Sequence, residues 1–542
     1  MKNYILSIFN DLSNKLDYLQ NQSILLEVPK NTGHGDLSCN IAMILSKQLK
    51  KSPREVAEEI ISYLKYSDNI INDIKIAGHG FINFYFTDSF SSKIINEILE
   101  QGDNFGKTKI YAGKKANVEF VSANPTGPLT VGHGRNAVVG DTLANLLSWV
   151  GYKVDREYYF NNAGRQMRVL GDSVKLRYLE LLGEKITFPE DYYQGEYIKD
   201  IAQKLIDEKG DTLKKDDPDG NFKEKAENEI FDDIKTTLSN LKIHHDIFYN
   251  EKQLYDDGKI KNLLNELKYK KLSYEKDGAV WFKITELGGE QDKVIVKATG
   301  EPTYRLPDIA YHITKFERGY DLIVDLFGSD HNATYPDVLA GLKANGKNTE
   351  KIKIIIHQFV TILENGQIVK MSTRKANFIT LDELTEEVGS DVVRYFFNMR
   401  DVSSHMNFDL SLAKTQSDEN PVFYLQYAHA RICSILNMIK DEKLKVSTDH
   451  LELLVKNEEK LLIKKLRQFK EEIELSARLF ETHRICTYLE ELATHFHKFY
   501  TFCRILGSEK NLAEARIALA TATKTVIKNG LQILGVSAPE KM

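Results

Sequence analysis

"VEFVSANPTGPLTVGHGRNAVVGDTLANLLSWVGYKVDREYYF", residues 118–160, decides the fold. It opens on a short strand-like run ending in small and polar residues. Pro and Gly then crowd the next stretch, and one histidine, His133, sits between Gly132 and Gly134. A helical pattern follows, with Val138, Leu143, Leu146, Leu147 and Val150 at three- and four-residue spacing. "YKVDREYYF" reads as the next strand. Strand, Gly-rich turn, helix and strand form a βαβ unit, and such units build parallel sheets. The fold class expected is α/β with a Rossmann-like parallel sheet.

The turn also carries chemistry. A helix start presents free backbone N–H groups and a partial positive charge, so it attracts anions. Gly132 and Gly134 let a ligand come close to the backbone, and the His133 ring is free to donate to a phosphate oxygen. A tight strand-to-helix turn with a packing histidine accounts for the same residues. A second stretch, "GQIVKMSTRKANFITLDEL" at 366–384, gathers Lys370, Arg374 and Lys375 in a glycine-led loop. Such cations can neutralise a polyphosphate. A solvated basic turn is the plain alternative.

Around this centre, 542 residues are too many for one core. Residues 1–107 read as an α+β unit. "SPREVAEEIISYLK" places Ser52 as N-cap and Pro53 at the first helical position, and "INDIKIAGHGFINFYF" alternates like paired strands about a glycine turn. Residues 108–410 form the α/β unit, with a charged, tyrosine-rich stretch at about 180–290 expected as an insertion. Strand-like runs return at "DKVIVKA", "DLIVDLFG" and "KIKIIIHQFVTIL". In 411–542 strands vanish and long amphipathic patterns predict an all-α bundle.

Composition narrows the class. The chain is 42% hydrophobic and 28% charged with net charge −5, so nucleic acid could be held only by local basic patches. Cys39, Cys433, Cys486 and Cys503 show no paired spacing, which argues against a disulfide framework or zinc site. No apolar run approaches the ~20 residues of a membrane span. The first residues lack a secretory apolar core, so a soluble, cytoplasmic protein is expected. "GDNFGKT" is one residue short of a P-loop, and Gly132, Gly134 and Gly140 do not fit a dinucleotide fingerprint.

Taken together, the "GH" turn and the later "KMS" loop resemble the paired HIGH and KMSKS motifs of class I aminoacyl-tRNA synthetases. The resemblance narrows to the arginyl-tRNA synthetase family through "NNAGRQM", "PTYRLPDIAYH", "MSTRKANFITLDELTEEVGSDVVRYFF", "PVFYLQYAHARICSIL" and "GVSAPEKM". It spans nearly the whole chain. It implies ATP-dependent ligation of arginine to its tRNA through an arginyl-adenylate, with magnesium arriving on ATP, no dedicated metal site and no covalent enzyme intermediate. It implies catalytic roles for His133, Lys370 and Arg374. Thr130, Gly132, His133, Gly134, Lys370, Met371 and Ser372 are the ATP-binding positions. Glu119, Asn124, Tyr304, Asp308, Asp330 and His331 are the arginine-binding ones, with Asp308 on the guanidinium. An N-cap is the plain alternative for Asp308.

Gln426, Tyr427 and Arg431, on the first bundle helix, are implied to contact the tRNA, as is the N-terminal unit. The basic stripe "KKLRQFK" at 464–470 suits the RNA backbone. A monomer is expected. Two positions depart from the pattern: Thr130 stands where histidine is usual, and Thr373 where lysine is usual. They motivate a second reading, a catalytically silent tRNA-binding paralogue.

Overall fold

Ser52 caps its helix as the sequence predicts. Its hydroxyl accepts from Glu55 N–H at 3.2 Å, and the Glu55 carboxylate accepts from Ser52 N–H at 2.8 Å, fixing Pro53–Tyr63. Beside it β1 (Leu26–Glu27), β2 (Leu37–Cys39), β3 (Ile71–Ala77) and β4 (Phe81–Phe86) form an antiparallel sheet in the order β1-β2-β4-β3. Ile5, Phe9, Leu45, Val56, Ile60, Ile82 and Phe84 fill a core of its own. The computed structural model describes the chain except Lys30, Asn31, residues 370–378, Asp441 and Lys443, and except the side chains of Asn3, Thr32 and Asp330.

The central sheet contains β5 (Lys115–Glu119), β6 (Lys153–Phe160), β7 (Ile247–Asn250), β11 (Leu322–Gly328) and β12 (Ile352–His357). Its order is β12-β11-β5-β6-β7, and all its pairings are parallel. The stretch at 180–290 therefore supplies the outer strand of this sheet, β7, besides its helices. A separate antiparallel sheet holds β8 (Ser273–Lys276), β9 (Ala279–Phe282) and β10 (Lys293–Val296). "DKVIVKA" is thus a strand outside the central sheet. The long apolar run at 352–364 breaks in two: β12 joins the central sheet, while β13 (Val360–Glu364) pairs with β14 (Gln367–Ile368) and β15 (Met406–Asp409).

The helix after the Gly-rich turn, Val131–Trp149, is buried on nearly every side rather than along one stripe. The sheet covers one side, and helices Ser390–Asn398, Phe469–Leu479 and Lys510–Leu534 pack against it elsewhere. Its polar residues are connectors. Asn136 accepts from Val121 N–H at 2.7 Å and donates to the Leu326 carbonyl at 3.1 Å. Asp141 accepts from Arg156 at 3.1 Å and from Arg394 at 2.5 Å.

After β15 the described chain is helical. Pro421–Met438, Asn457–Arg467, Phe469–Leu479, His483–Phe502 and Lys510–Leu534 form the bundle, whose core is continuous with that of the central sheet. The four cysteines are buried and free.

Candidate active site

In the central sheet the chain leaves β5 in one direction through β6 and β7, and later returns on the other side of β5 as β11 and β12. Ligands of open α/β sheets bind at such a switch point, beyond the C-terminal strand ends. Glu119 is the last residue of β5 and Gly328 the last of β11. Of the candidate residues, Glu119 ends β5, and Asn124 and the Thr130–Gly134 turn follow it at this edge.

The turn follows β5. Thr130 is the N-cap of Val131–Trp149, and its N–H donates to His133 Nδ1 at 3.1 Å. The Thr130 hydroxyl lies 3.2 Å from the same nitrogen. Nδ1 is thus the acceptor, and the ring proton sits on Nε2. Burial lowers the His133 pKa, so the ring is neutral near pH 7. A neutral Nε2–H donor at a helix N-terminus is suited to a phosphate oxygen. The glycines differ. A Cβ on Gly132 would meet only Thr130 Oγ1 at 3.7 Å, whereas one on Gly134 would lie 2.5 Å from Leu381 Cδ1.

That leucine joins the two motifs. Thr130 and Thr380 form an antiparallel bridge, and Leu381 N–H donates to the Leu129 carbonyl at 2.8 Å. Arg135, fully buried, donates to the carbonyls of Gln358, Ser404 and Asp401 at 3.0, 2.8 and 2.8 Å. The turn helix is thus fastened to the chain on both flanks of 370–378. Lys370, Met371, Ser372, Thr373 and Arg374 themselves lie outside the described residues.

Asp308, His312 and Lys315 follow one another at four- and three-residue spacing along helix Arg305–Glu317. Lys315 Nζ donates to Glu119 Oε2 at 2.5 Å and to Asp325 Oδ1 at 2.6 Å. His312 Nε2 lies 3.0 Å from Asp325 Oδ2 and Nδ1 lies 2.8 Å from the Asp308 carbonyl. Both partners can only accept, so both ring nitrogens carry protons and His312 is an imidazolium. Burial would lower its pKa, but the Asp325 carboxylate outweighs that and raises it. Arg318 forks onto Glu157 with two bonds of 2.9 Å.

Charge is then matched for Glu119, Asp325 and Glu157, but not for Asp308 or Glu251. Asp308 is half-buried, and burial pushes its carboxyl up to about 7. Glu251 follows β7 and accepts from Tyr159 hydroxyl at 2.7 Å; burial raises its pKa too. Neither forms an ion pair among the described residues. Burial raises the Tyr159 hydroxyl pKa, and the negative charges of Glu251, Asp308 and Glu119 raise it further. Asp308 is not an N-cap, because that position belongs to Tyr304.

The remaining candidates divide. Asn124 accepts from Asn161 N–H at 2.9 Å and donates to Gln166 at 3.0 Å, at the rim of the same edge. Tyr304 is 77% exposed. His331 stacks on Phe327, with ring centroids 4.8 Å apart; the Asp330 side chain lies outside the described residues.

Residues 94–402 match the family model for the class I tRNA synthetase (R) catalytic domain. Residues 2–86 match the arginyl-tRNA synthetase N-terminal domain, and 425–542 the DALR anticodon-binding domain. The chain belongs to the arginyl-tRNA synthetases. It is an aminoacyl-tRNA ligase that uses ATP, arginine and tRNA. It is 49% identical, over the full length of both chains, to the arginine–tRNA ligase of Salinibacter ruber. A solved structure of an arginyl-tRNA synthetase assigned as putative, from Campylobacter jejuni, is 32% identical, with TM-score 0.79 over 84% of this chain and all of that one. The Thermus thermophilus arginyl-tRNA synthetase, 19% identical, shares the fold with TM-score 0.77 over 99% of this chain and all of that one.

Four residues around this edge and its loops are not marked by any local sequence signal. Lys315 and His312 were legible only as a spacing, seven and four residues after Asp308. Glu251 and Tyr197 lie in the region expected as an insertion. Tyr197 donates to the Thr126 carbonyl at 2.8 Å, and its hydroxyl lies 3.0 Å from where a Cβ on Gly127 would stand. That ring braces the loop leading into the turn.

On the bundle, Tyr427 and Arg431 share an open aromatic surface. The Arg431 guanidinium lies 5.3 Å from the Tyr427 ring centre and 4.8 Å from that of Tyr500. Gln426 is tied inward, donating to Asp391 at 2.9 Å and to the Ser537 carbonyl at 3.0 Å. The basic stripe requires a correction. Lys464 donates to the Gly35 carbonyl at 3.1 Å, Lys465 pairs with Glu491, and Arg467 reaches Asp36 at 3.4 Å and Ser91 at 3.1 Å. These three cations fasten the bundle to itself and to the N-terminal unit. They are engaged by protein and do not form an open backbone-binding surface.

Proposed function

We infer that the switch-point edge activates arginine, with its residues divided by charge. The single observation that carries this is Asp308, a recessed carboxyl with no ion-pair partner among the described residues, on the helix whose Lys315 is bonded to Glu119 at the end of β5, the strand that leads into the turn. One edge thus offers a cation site next to an anion site. Asp308 takes the guanidinium, whose planar donors suit a carboxylate fork, with Glu251 adding negative charge. Tyr304 closes over the side chain. Glu119 and Asn124 take the α-amine. Asp330 and His331 belong to the arginine site, in a loop shared with the adenosine.

His133 donates Nε2–H to ATP phosphate, Gly132 and Gly134 leave the backbone open to it, and Thr130 fixes the histidine tautomer. Lys370, Met371, Ser372 and Arg374 bring cations and donors to the phosphates. The arginine carboxylate is its own nucleophile toward the α-phosphate, so the protein aligns the reactants and neutralises charge. Among the described residues no group of three or more His, Cys, Asp or Glu could hold a metal, and magnesium arrives as part of the ATP substrate. Arginine then passes from the adenylate to the tRNA.

We place the catalytic unit in 108–410, with 1–107 and 411–542 contacting tRNA through the N-terminal unit, Tyr427 and Arg431, while Gln426 holds the bundle helix to Asp391 and Ser537. The enzyme is cytoplasmic and monomeric in this reading. Among the described residues no helix is long and apolar enough to cross a membrane. Attachment of radiolabelled arginine to total tRNA tests the activity, and Asp308→Asn tests the assignment. A chain that binds tRNA without charging it, or an Asp308→Asn variant with unchanged KM for arginine, would sink this reading.

A further inference from the structure

Lys315 is a charged group wholly out of solvent at this edge, and the reaction has no use for it as a reactant. It is fully buried, 4.7 Å from the centre of the Tyr311 ring, with its ammonium between Glu119 and Asp325. Those two residues face each other in register across β5 and β11. Without a cation between them, two buried carboxylates would stand on neighbouring strands and repel. The other Glu119 oxygen accepts from Ser122 hydroxyl at 2.9 Å, so both oxygens of this carboxylate are held by the protein.

Stability alone does not account for such an arrangement. Buried ion networks are often replaced by apolar residues at no loss of stability. Its place is informative instead. The staple sits at the ligand-binding ends of the strands, on the helix that carries Asp308 seven residues earlier. Asp325 is neutralised by Lys315 together with His312, so the unmatched negative charge of the pocket remains with Asp308 and Glu251.

We propose that Lys315 is a positioning residue for arginine: its ammonium fixes the Glu119 carboxylate toward the pocket and cancels the charge of Asp325 behind it. This deepens the pocket assignment made above and rests on it. Lys315 does not touch the reacting atoms. It acts by holding Glu119, the group that takes the α-amine, so its loss is felt in arginine binding before ATP binding.

The test is the double variant Lys315→Met, Asp325→Asn, which removes one positive and one negative charge together. KM for arginine, KM for ATP and kcat are measured in tRNA charging, beside a thermal melt. Losing the orientation of one charged hydrogen bond should raise KM for arginine by roughly tenfold to a hundredfold. KM for ATP should stay within about twofold and the melt should remain cooperative. A folded double variant with wild-type KM for arginine overturns the proposal, as does an equal rise in both KM values. A variant that does not melt cooperatively also overturns it, because Lys315 is then a folding element. Asp308→Asn separates the two levels. If it leaves KM for arginine unchanged, the pocket assignment fails and takes this inference with it. If it raises KM while the double variant does not, only the Lys315 inference fails.

Discussion

Gly134 and Leu381 occupy the same space from two motifs. A Cβ at position 134 would lie 2.5 Å from Leu381 Cδ1 and 3.1 Å from Phe397. Gly132, two residues earlier, has no such neighbour. Gly134→Ala should therefore overpack the contact and cost about 1–3 kcal/mol, seen as a lower Tm. Gly132→Ala should keep or raise Tm, since alanine is the better helix former, while raising KM for ATP by crowding the phosphates. Equal melting temperatures for the two variants would show that only one kind of glycine is present here.

The pH dependence of arginine binding follows from Asp308. Its carboxyl is pushed up to about 7 by burial, and only the ionised form attracts a guanidinium. KM for arginine should be low above pH 7 and climb as pH falls below it, by about tenfold per unit at the acid end. The stability sign is opposite. A carboxyl raised above its unfolded value takes nothing from stability below about pH 4 and most above about 7. Asp308→Asn should then melt higher than the parent at pH 8 and alike at pH 4, while losing arginine use. A parent KM flat from pH 6 to 8 would rule this out.

How far the sequence could be read depended on range. The turn, the Ser52 cap and the βαβ unit are local patterns, set by glycine, proline and periodicity within a few residues. β7 was not legible, because four residues in a charged stretch become a sheet edge only through pairing with β6. The cations at 464–467 were visible as charge, but their partners Gly35, Asp36 and Glu491 are distant in sequence or on another helix. Lys315 was hidden for the same reason: a buried lysine becomes intelligible only when β5 and β11 bring Glu119 and Asp325 to it.

The clasp between bundle and N-terminal unit is directly testable. Arg467 donates to Asp36, whose other oxygen accepts from Phe86 N–H at 2.9 Å. Arg467→Ala removes a partly buried charged contact, worth at most about 1.5–3 kcal/mol, from the join between two separate cores. Hydrogen exchange should speed up around 34–40 and 84–92, with the central sheet unchanged. Charging should show a raised KM for tRNA and an unchanged KM for ATP. Protection left intact at those segments would mean that the helix Asp88–Gln101, which packs Ile95 and Ile98 into the main core, holds the unit by itself.

Neighbours on one bundle helix should behave differently. Gln426 is spent on Asp391 and Ser537, where the chain end meets the catalytic unit. Gln426→Ala should lower Tm, since each lost bond to a charged group is worth roughly 1.5–3 kcal/mol, and shift KM for tRNA little. Tyr427 is 37% exposed, and Arg431 lies against it and Tyr500. Loss of a stacking ring costs about 1–3 kcal/mol per base, so Tyr427→Ala should raise KM for tRNA by roughly tenfold or more with Tm nearly kept. Arg431→Ala should do the same and flatten the salt dependence of tRNA binding, because it also removes a cation. If instead Gln426→Ala weakened tRNA binding while Tyr427→Ala did not, the RNA would lie on the side of Ser537, and the aromatic surface would belong to the bundle's own packing.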